Sequence, residues 1–187
     1  MRIISAAFLL TALAFGLLTA CSEAPSAAAG SDATALMAND FEQSAGWGGG
    51  EQPSLTTAQA HSGRTAVLAS PEVPFSYTFA RTLAELSPGK VPAKMELTGW
   101  VWRTAAGSTA RLVVQVEASR TDQQSVYYTA LPVAEAVSQF GQWAAVKVPV
   151  TLPASATGAN LLKVYLWNDT ATSPTYLDDV ALRAAGQ

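Results

Sequence analysis

Short runs of alternating apolar and polar residues make up most of the chain after residue 35. Alternation with a period of two places successive side chains on opposite faces of an extended strand, so each run predicts a strand with one buried face. Gly, Pro, Ser and Asp separate the runs at a spacing typical of a β-sandwich or a barrel. The predicted strands are 36–43, 54–58, 64–70, 74–82, 93–104, 109–118, 124–132, 141–151, 160–168 and 174–184.

Helical periodicity is weak throughout this region. Short helical turns are expected only near 84–89 and 131–141, where Pro and Gly stand too close for a longer helix. Hydrophobic residues make up 49% of the chain and charged residues 13%, which is enough apolar material for one substantial core. The sequence therefore predicts a single all-β domain over 35–187, built as a two-sheet antiparallel sandwich.

The first twenty residues have the layout of an export signal. Arg2 is followed by an apolar run over 3–18 and then by small residues. A transmembrane helix needs about 20 apolar residues, and this run is shorter than that. We expect residues 1–20 to be a signal peptide that is removed.

The segment LTAC at 18–21 resembles the bacterial lipobox, in which the cysteine is lipidated and becomes the new N-terminus. The resemblance implies that Cys21 carries the lipid and that the protein is anchored in the cell envelope, at an outer membrane or the cell surface. Cys21 is the only cysteine, so it has no partner for an internal disulfide. The residues that follow, up to 34, are small and polar, which predicts a flexible linker over 21–34.

In four predicted strands, aromatic and polar residues share one face while aliphatic residues occupy the other. The aliphatic face belongs against a second sheet, so the aromatic face is expected to point outward. Flat rings stack on the C–H faces of sugars, and neighbouring polar groups exchange hydrogen bonds with hydroxyls. The predicted glycan-binding surface, on the outer face of one sheet, consists of Trp100, Trp102, Arg111, Gln115, Glu117, Lys163, Tyr165 and Trp167. The alternative is that loops or the linker cover these rings, or that some of the rings belong to a second, minor core.

Three segments resemble the galactose-binding-like jelly rolls found among carbohydrate-binding modules: NDFE at 39–42 with Trp47 downstream, HSG at 61–63, and YLDDV at 176–180. The resemblance implies a jelly-roll sandwich with a structural Ca²⁺ ion that ties the first strand to the last. The implied ligands are Glu42 and Asp178, with Asp40, Asp179 and the carbonyl of Ser62 or Arg64 as weaker candidates. Alternatively, Glu42 is solvated and Asp178 and Asp179 cap a turn.

Charge and residue types argue against two other classes of function. The net charge is −3 and the basic residues are scattered, so no nucleic-acid partner is expected. His61 is the only histidine, which leaves no partner for a catalytic triad or a histidine metal site built on two histidines. We therefore expect a non-catalytic glycan-binding lipoprotein. The alternative is a structural envelope or adhesion module that docks another protein, and an enzyme would require two carboxylates clustered in a cleft.

Overall fold

The computed structural model describes residues 35–43 and 53–185. The predicted signal peptide, Cys21, the linker and Trp47 lie outside these residues. The described residues form ten strands and two short helices: β1 Ala35–Asn39, β2 Leu55–Thr56, β3 Ala66–Ala69, β4 Phe79–Thr82, α1 Leu83–Leu86, β5 Lys94–Arg103, β6 Arg111–Glu117, β7 Ser125–Pro132, α2 Val133–Ala136, β8 Trp143–Thr151, β9 Leu161–Trp167 and β10 Thr175–Ala184. Each predicted strand thus overlaps one observed strand.

The strands form two sheets in which every pairing is antiparallel. Sheet A has the order β2-β3-β10-β5-β8, and β1 also pairs with β10. Sheet B has the order β4-β9-β6-β7. After β5 in sheet A the chain enters sheet B for β6 and β7, and it then changes sheet at each of the last three strands. This arrangement confirms the prediction of an all-β, two-sheet jelly-roll sandwich.

Aliphatic side chains fill the space between the sheets, as the alternation predicts. On β5, Leu97 and Val101 face inward and are fully buried. Their counterparts in sheet B are the fully buried aliphatic residues Leu112, Val114, Val116, Leu162, Val164 and Leu166. Burial of these side chains stabilises the fold by about 25 cal/mol per Å² of apolar area removed from water. The aromatic and polar residues between them therefore point away from this core.

The strands are shorter than predicted, and the structure shows the cause for two of them. The first ends at Asn39, because its side chain accepts a hydrogen bond from Phe41 N and Phe41 turns the backbone to a φ of 59°. The fourth begins only at Phe79, and Phe75 makes an isolated bridge to Trp167 instead. The bridge nevertheless keeps Phe75 in line with sheet B.

The strand registers define the two ends of the sandwich. Ala35 pairs with Arg183 and Met95 pairs with Ala184, so the chain enters the described domain at that end. Trp167 stands at the other end, where the connection from β5 to β6 also lies. None of the helices in the described residues is long and apolar enough to span a bilayer.

Candidate functional site

The outer face of sheet B brings together six of the residues predicted for the binding surface. Arg111 on β6 pairs with Trp167 on β9, and Gln115 pairs with Lys163. Glu117 continues the same face of β6, and Tyr165 the same face of β9. We use the name sheet B surface for the outer-face side chains Phe75, Arg111, Gln115, Glu117, Tyr128, Lys163, Tyr165 and Trp167, together with Asp169, which lies two residues beyond the end of β9.

Aromatic rings occupy both sides of the sheet B surface. The rings of Phe75 and Trp167 are parallel within 4°, with centroids 6.2 Å apart. Tyr165 meets Phe75 edge-on, at 6.0 Å. Phe75 is 52% exposed and Tyr128, on β7, is 49% exposed. Exposed rings of this size on a sheet face are available for contact with a ligand or a partner.

Hydrogen-bonding groups stand between these rings. The Tyr165 hydroxyl donates to Gln115 Oε1 at 2.9 Å. Burial raises the pKa of Tyr165, and the nearby Tyr128 and Glu117 raise it further, so the hydroxyl keeps its proton at neutral pH. Lys163 Nζ lies 2.7 Å from each carboxylate oxygen of Glu117. The surface therefore combines stacking rings with fixed donors and acceptors.

Trp100 and Trp102 do not belong to this surface, and the prediction of a single face was wrong in this respect. Both lie on β5, which pairs with β10 and β8 in sheet A. Alternation along a strand separates an inner from an outer face, but it does not reveal in which sheet the strand lies. The predicted rings therefore occupy opposite outer faces of the sandwich.

A loop covers part of the aromatic face of sheet A. The His61 ring stacks on Trp100 with centroids 3.9 Å apart and planes within 14°. Trp143 Nε1 donates to the carbonyl of Ala60 at 3.0 Å, and Trp102 meets Trp143 edge-on at 5.8 Å. The alternative that loops cover the predicted rings thus applies to Trp100.

Sequence reasoning missed Phe75, Tyr128 and Asp169. Phe75 belongs to the alternating run at 75–79, in which Tyr77 and Phe79 are buried, so alternation places its ring inward. Its position beside Trp167 depends on tertiary structure. Tyr128 follows another tyrosine, and two adjacent rings give no signal of which one points outward. Asp169 lies two residues beyond the end of β9, and only the fold sets it against Arg111, whose Nε donates to Asp169 Oδ2 at 3.4 Å.

The residues predicted as calcium ligands form a separate junction beneath the loop at 61–65, which we call the carboxylate junction. The buried Asp178 accepts hydrogen bonds from the backbone N–H of His61 at 2.7 Å and of Ser62 at 3.2 Å. Asp179 contacts the side chains of the same two residues. The last strand is therefore fastened to this loop by two adjacent carboxylates.

Glu42 fastens the other end of the same loop. Its Oε1 accepts hydrogen bonds from the backbone N–H of Arg64 at 2.8 Å and of Thr65 at 2.6 Å. Gly63, with a φ of 57°, lets the turn approach closely, because a Cβ there would lie 2.4 Å from Glu42 Cδ. Asp40 Oδ1 accepts from Glu42 N at 3.2 Å.

This hydrogen bonding does not match the ligand set of a calcium ion. Ca²⁺ takes six to eight oxygen ligands, whereas N–H donors face Glu42 and Asp178 here. Within the described residues, no group of three or more His, Cys, Asp or Glu side chains is placed to hold a metal ion. The bound ion implied by the sequence resemblance stays a prediction.

Thermal melts at several pH values, with and without a chelator, will show whether hydrogen bonds alone or a calcium ion hold the carboxylate junction. Burial raises the pKa of Asp178 from 3.8 to about 6, despite the N–H donors of His61, Asp179 and Ser62 that lower it. The contribution of Asp178 to the free energy of unfolding therefore falls by about 3 kcal/mol as the pH rises from about 4 to about 6. We expect the Tm of the wild type, relative to that of Asp178→Asn, to rise between pH 7.5 and pH 5, and EDTA to leave it unchanged. A Tm lowered by both EDTA and acid would instead show that calcium holds the junction.

Comparison with known proteins identifies the fold. No protein-family model matches the sequence, and no curated protein matches it significantly. The C-terminal family 22 carbohydrate-binding module of Clostridium thermocellum Xyn10B superposes with a TM-score of 0.53 at 17% identity, covering 83% of this chain and 96% of that module. The CBM22-2 xylan-binding domain of Paenibacillus barcinonensis Xyn10C gives 0.53 at 19% identity, covering 81% and 100%. The CBM22-1–CBM22-2 tandem of the same protein gives 0.56 at 19% identity, covering 86% of this chain and 52% of the tandem. At these identities the likeness shows the shared β-sandwich fold.

Proposed function

We propose that this protein binds a polysaccharide, without catalysis, on the sheet B surface. The observation that carries the proposal is the exposed ring of Phe75 beside the half-buried rings of Trp167 and Tyr165, with hydrogen-bonding side chains next to them. Sugars offer alternating C–H faces and hydroxyl edges, which such a surface can contact at the same time. The solved structures with this fold include a module with a ligand-binding cleft and a xylan-binding domain, so xylan is the first ligand to test.

The carboxylates of the sheet B surface support binding over hydrolysis. Glycosidases place two carboxylates about 5–10 Å apart across the scissile bond. Glu117 and Asp169 lie toward opposite ends of β6, about 20 Å apart at the usual rise of a strand. Glu117 also pairs with Lys163, and Asp169 pairs with Arg111. The pair lacks the spacing that an acid and a nucleophile need.

The proposal includes attachment of the domain to a membrane through Cys21 and the linker that follows. The chain enters the described domain at the end that carries Ala35, whereas Phe75, Trp167 and Arg111 lie at the opposite end. The strand registers thus keep this part of the sheet B surface away from the point of attachment. Cys21→Ser is expected to move the protein from the membrane fraction to the soluble fraction, and a variant that stays in the membrane pellet contradicts lipidation.

Titration of the full-length protein with a panel of polysaccharides, followed by tryptophan fluorescence, tests the central proposal. Because Trp167 lies on the sheet B surface, a bound sugar is expected to shift its emission maximum and to change its intensity. Xylan, β-glucan, mannan and chitin oligosaccharides cover the common backbones. If the whole panel leaves the spectrum unchanged and a purified envelope protein binds the sheet B surface, the domain is a protein-docking module.

A further inference from the structure

The two cations of the sheet B surface, Lys163 and Arg111, differ in how closely each is paired with a carboxylate. Lys163 is held against both oxygens of Glu117, and the side chain of Glu117 is only 5% exposed. Arg111 is 39% exposed, and its contact to Asp169 is a single bond from Nε at 3.4 Å. That bond is the only one that the Arg111 side chain makes within the described residues. Arg111 is therefore the cation of this surface that is available to a ligand.

The guanidinium group of Arg111 has N–H groups, those of Nη1 and Nη2, that are placed to bind a carboxylate. A guanidinium carries five N–H donors in a fixed plane and binds a carboxylate through two parallel hydrogen bonds. Asp169 uses Nε, which leaves the N–H groups of Nη1 and Nη2 without a partner among the described residues. The weak bond to Asp169 also orients the plane of the group. A second carboxylate can then bind side-on at the open edge.

The register of sheet B places the guanidinium group of Arg111 beside the aromatic rings of Trp167 and Phe75. Arg111 and Trp167 are direct partners across the β6–β9 pair, so their Cβ atoms lie about 5 Å apart. On its other side, Trp167 is the bridge partner of Phe75. A sugar ring stacked on Trp167 thus carries its substituents within reach of Arg111.

We infer that the ligand is a saccharide bearing a carboxylate, such as a uronic acid unit, and that Arg111 binds this carboxylate while the sugar stacks on Trp167. The inference rests on the proposed glycan-binding function and names the ligand class of the same site. Asp169 limits the affinity for this ligand, because its negative charge offsets part of the positive charge of Arg111.

Isothermal titration of the full-length protein with two matched ligands tests the inference. The ligands are xylo-oligosaccharides carrying a glucuronic acid branch and the same oligosaccharides after removal of that branch. We expect the wild type to bind the acidic form at least tenfold more tightly, and Arg111→Gln to abolish this preference with less than a threefold change for the neutral form. Asp169→Asn is expected to strengthen binding of the acidic form, and added salt is expected to weaken binding of that form alone.

Arg120→Gln is the matched control, because Arg120 is an exposed arginine that pairs with Glu85 beyond the end of β6 opposite to Arg111. It is expected to bind both ligands as the wild type does. Equal losses of both ligands in Arg111→Gln, or no preference in the wild type, overturn the inference while leaving glycan binding intact. If the wild type binds neither these ligands nor any polysaccharide of the panel, the proposed function itself fails, and the inference with it.

Discussion

Trp167→Ala is expected to weaken polysaccharide binding by about thirtyfold, which corresponds to about 2 kcal/mol for the loss of a central aromatic contact. Trp167 lies between Phe75 and Arg111 on the sheet B surface, so its indole contributes stacking area that no neighbour can replace. The ring points away from the core, and its removal is expected to change the Tm only slightly. Isothermal titration with the best ligand of the panel, together with a thermal melt, measures both quantities.

Trp102→Ala is the matched control for Trp167→Ala. It removes the same indole ring from the outer face of sheet A, where Trp102 contacts Trp143. Binding is expected to equal that of the wild type, because the two faces lie on opposite sides of the sandwich. A loss of binding in Trp102→Ala with normal binding in Trp167→Ala would move the site to sheet A.

Lys163→Met is expected to destabilise the domain by about 3–5 kcal/mol, because it leaves the buried carboxylate of Glu117 without its cation. For a domain of this size the loss corresponds to a fall in Tm of about 6–20 °C. Methionine keeps most of the length of the lysine chain, so the effect reports on charge and less on packing. Urea denaturation at pH 7 gives the free energy of unfolding directly.

Two further variants show whether the unpaired charge is the cause. Replacing Glu117 by Gln in the Lys163→Met background removes the buried charge and is expected to recover much of the lost stability. Lys147→Met breaks an exposed pair, in which Nζ lies 3.3 Å from Glu96, and is expected to cost less than 1 kcal/mol. A double variant no more stable than Lys163→Met would show that lost packing, and not the unpaired carboxylate, causes the destabilisation.

The positions of the strands could be predicted from the sequence because each strand has its own local pattern of alternating residues. Leu112, Val114 and Val116 recur at every second position of β6, whatever that strand pairs with. The same alternation places Tyr165 and Trp167 on an outer face, and the structure confirms it. Six of the eight predicted surface residues therefore lie together.

The grouping of Trp100 with Trp167 failed for a physical reason. Both residues occupy outward positions of alternating strands, but strand pairing is a long-range choice that no local pattern encodes. The chain crosses from sheet A to sheet B between β5 and β6, which separates the two rings by the thickness of the core. Pairing of β4 with β9 makes Phe75 a neighbour of Trp167, although the two residues are 92 positions apart in the sequence.

The sequence by itself determined the all-β class, the ten strands and the direction of their apolar faces, because these depend on alternation and on turn residues within a few positions. The tertiary structure alone decided which strands share a sheet, and hence which aromatic residues share a surface. It also decided that N–H donors face Glu42 and Asp178, and that Arg111 stands open beside Trp167. These features depend on contacts between distant segments, which form only when the two sheets close on their common core.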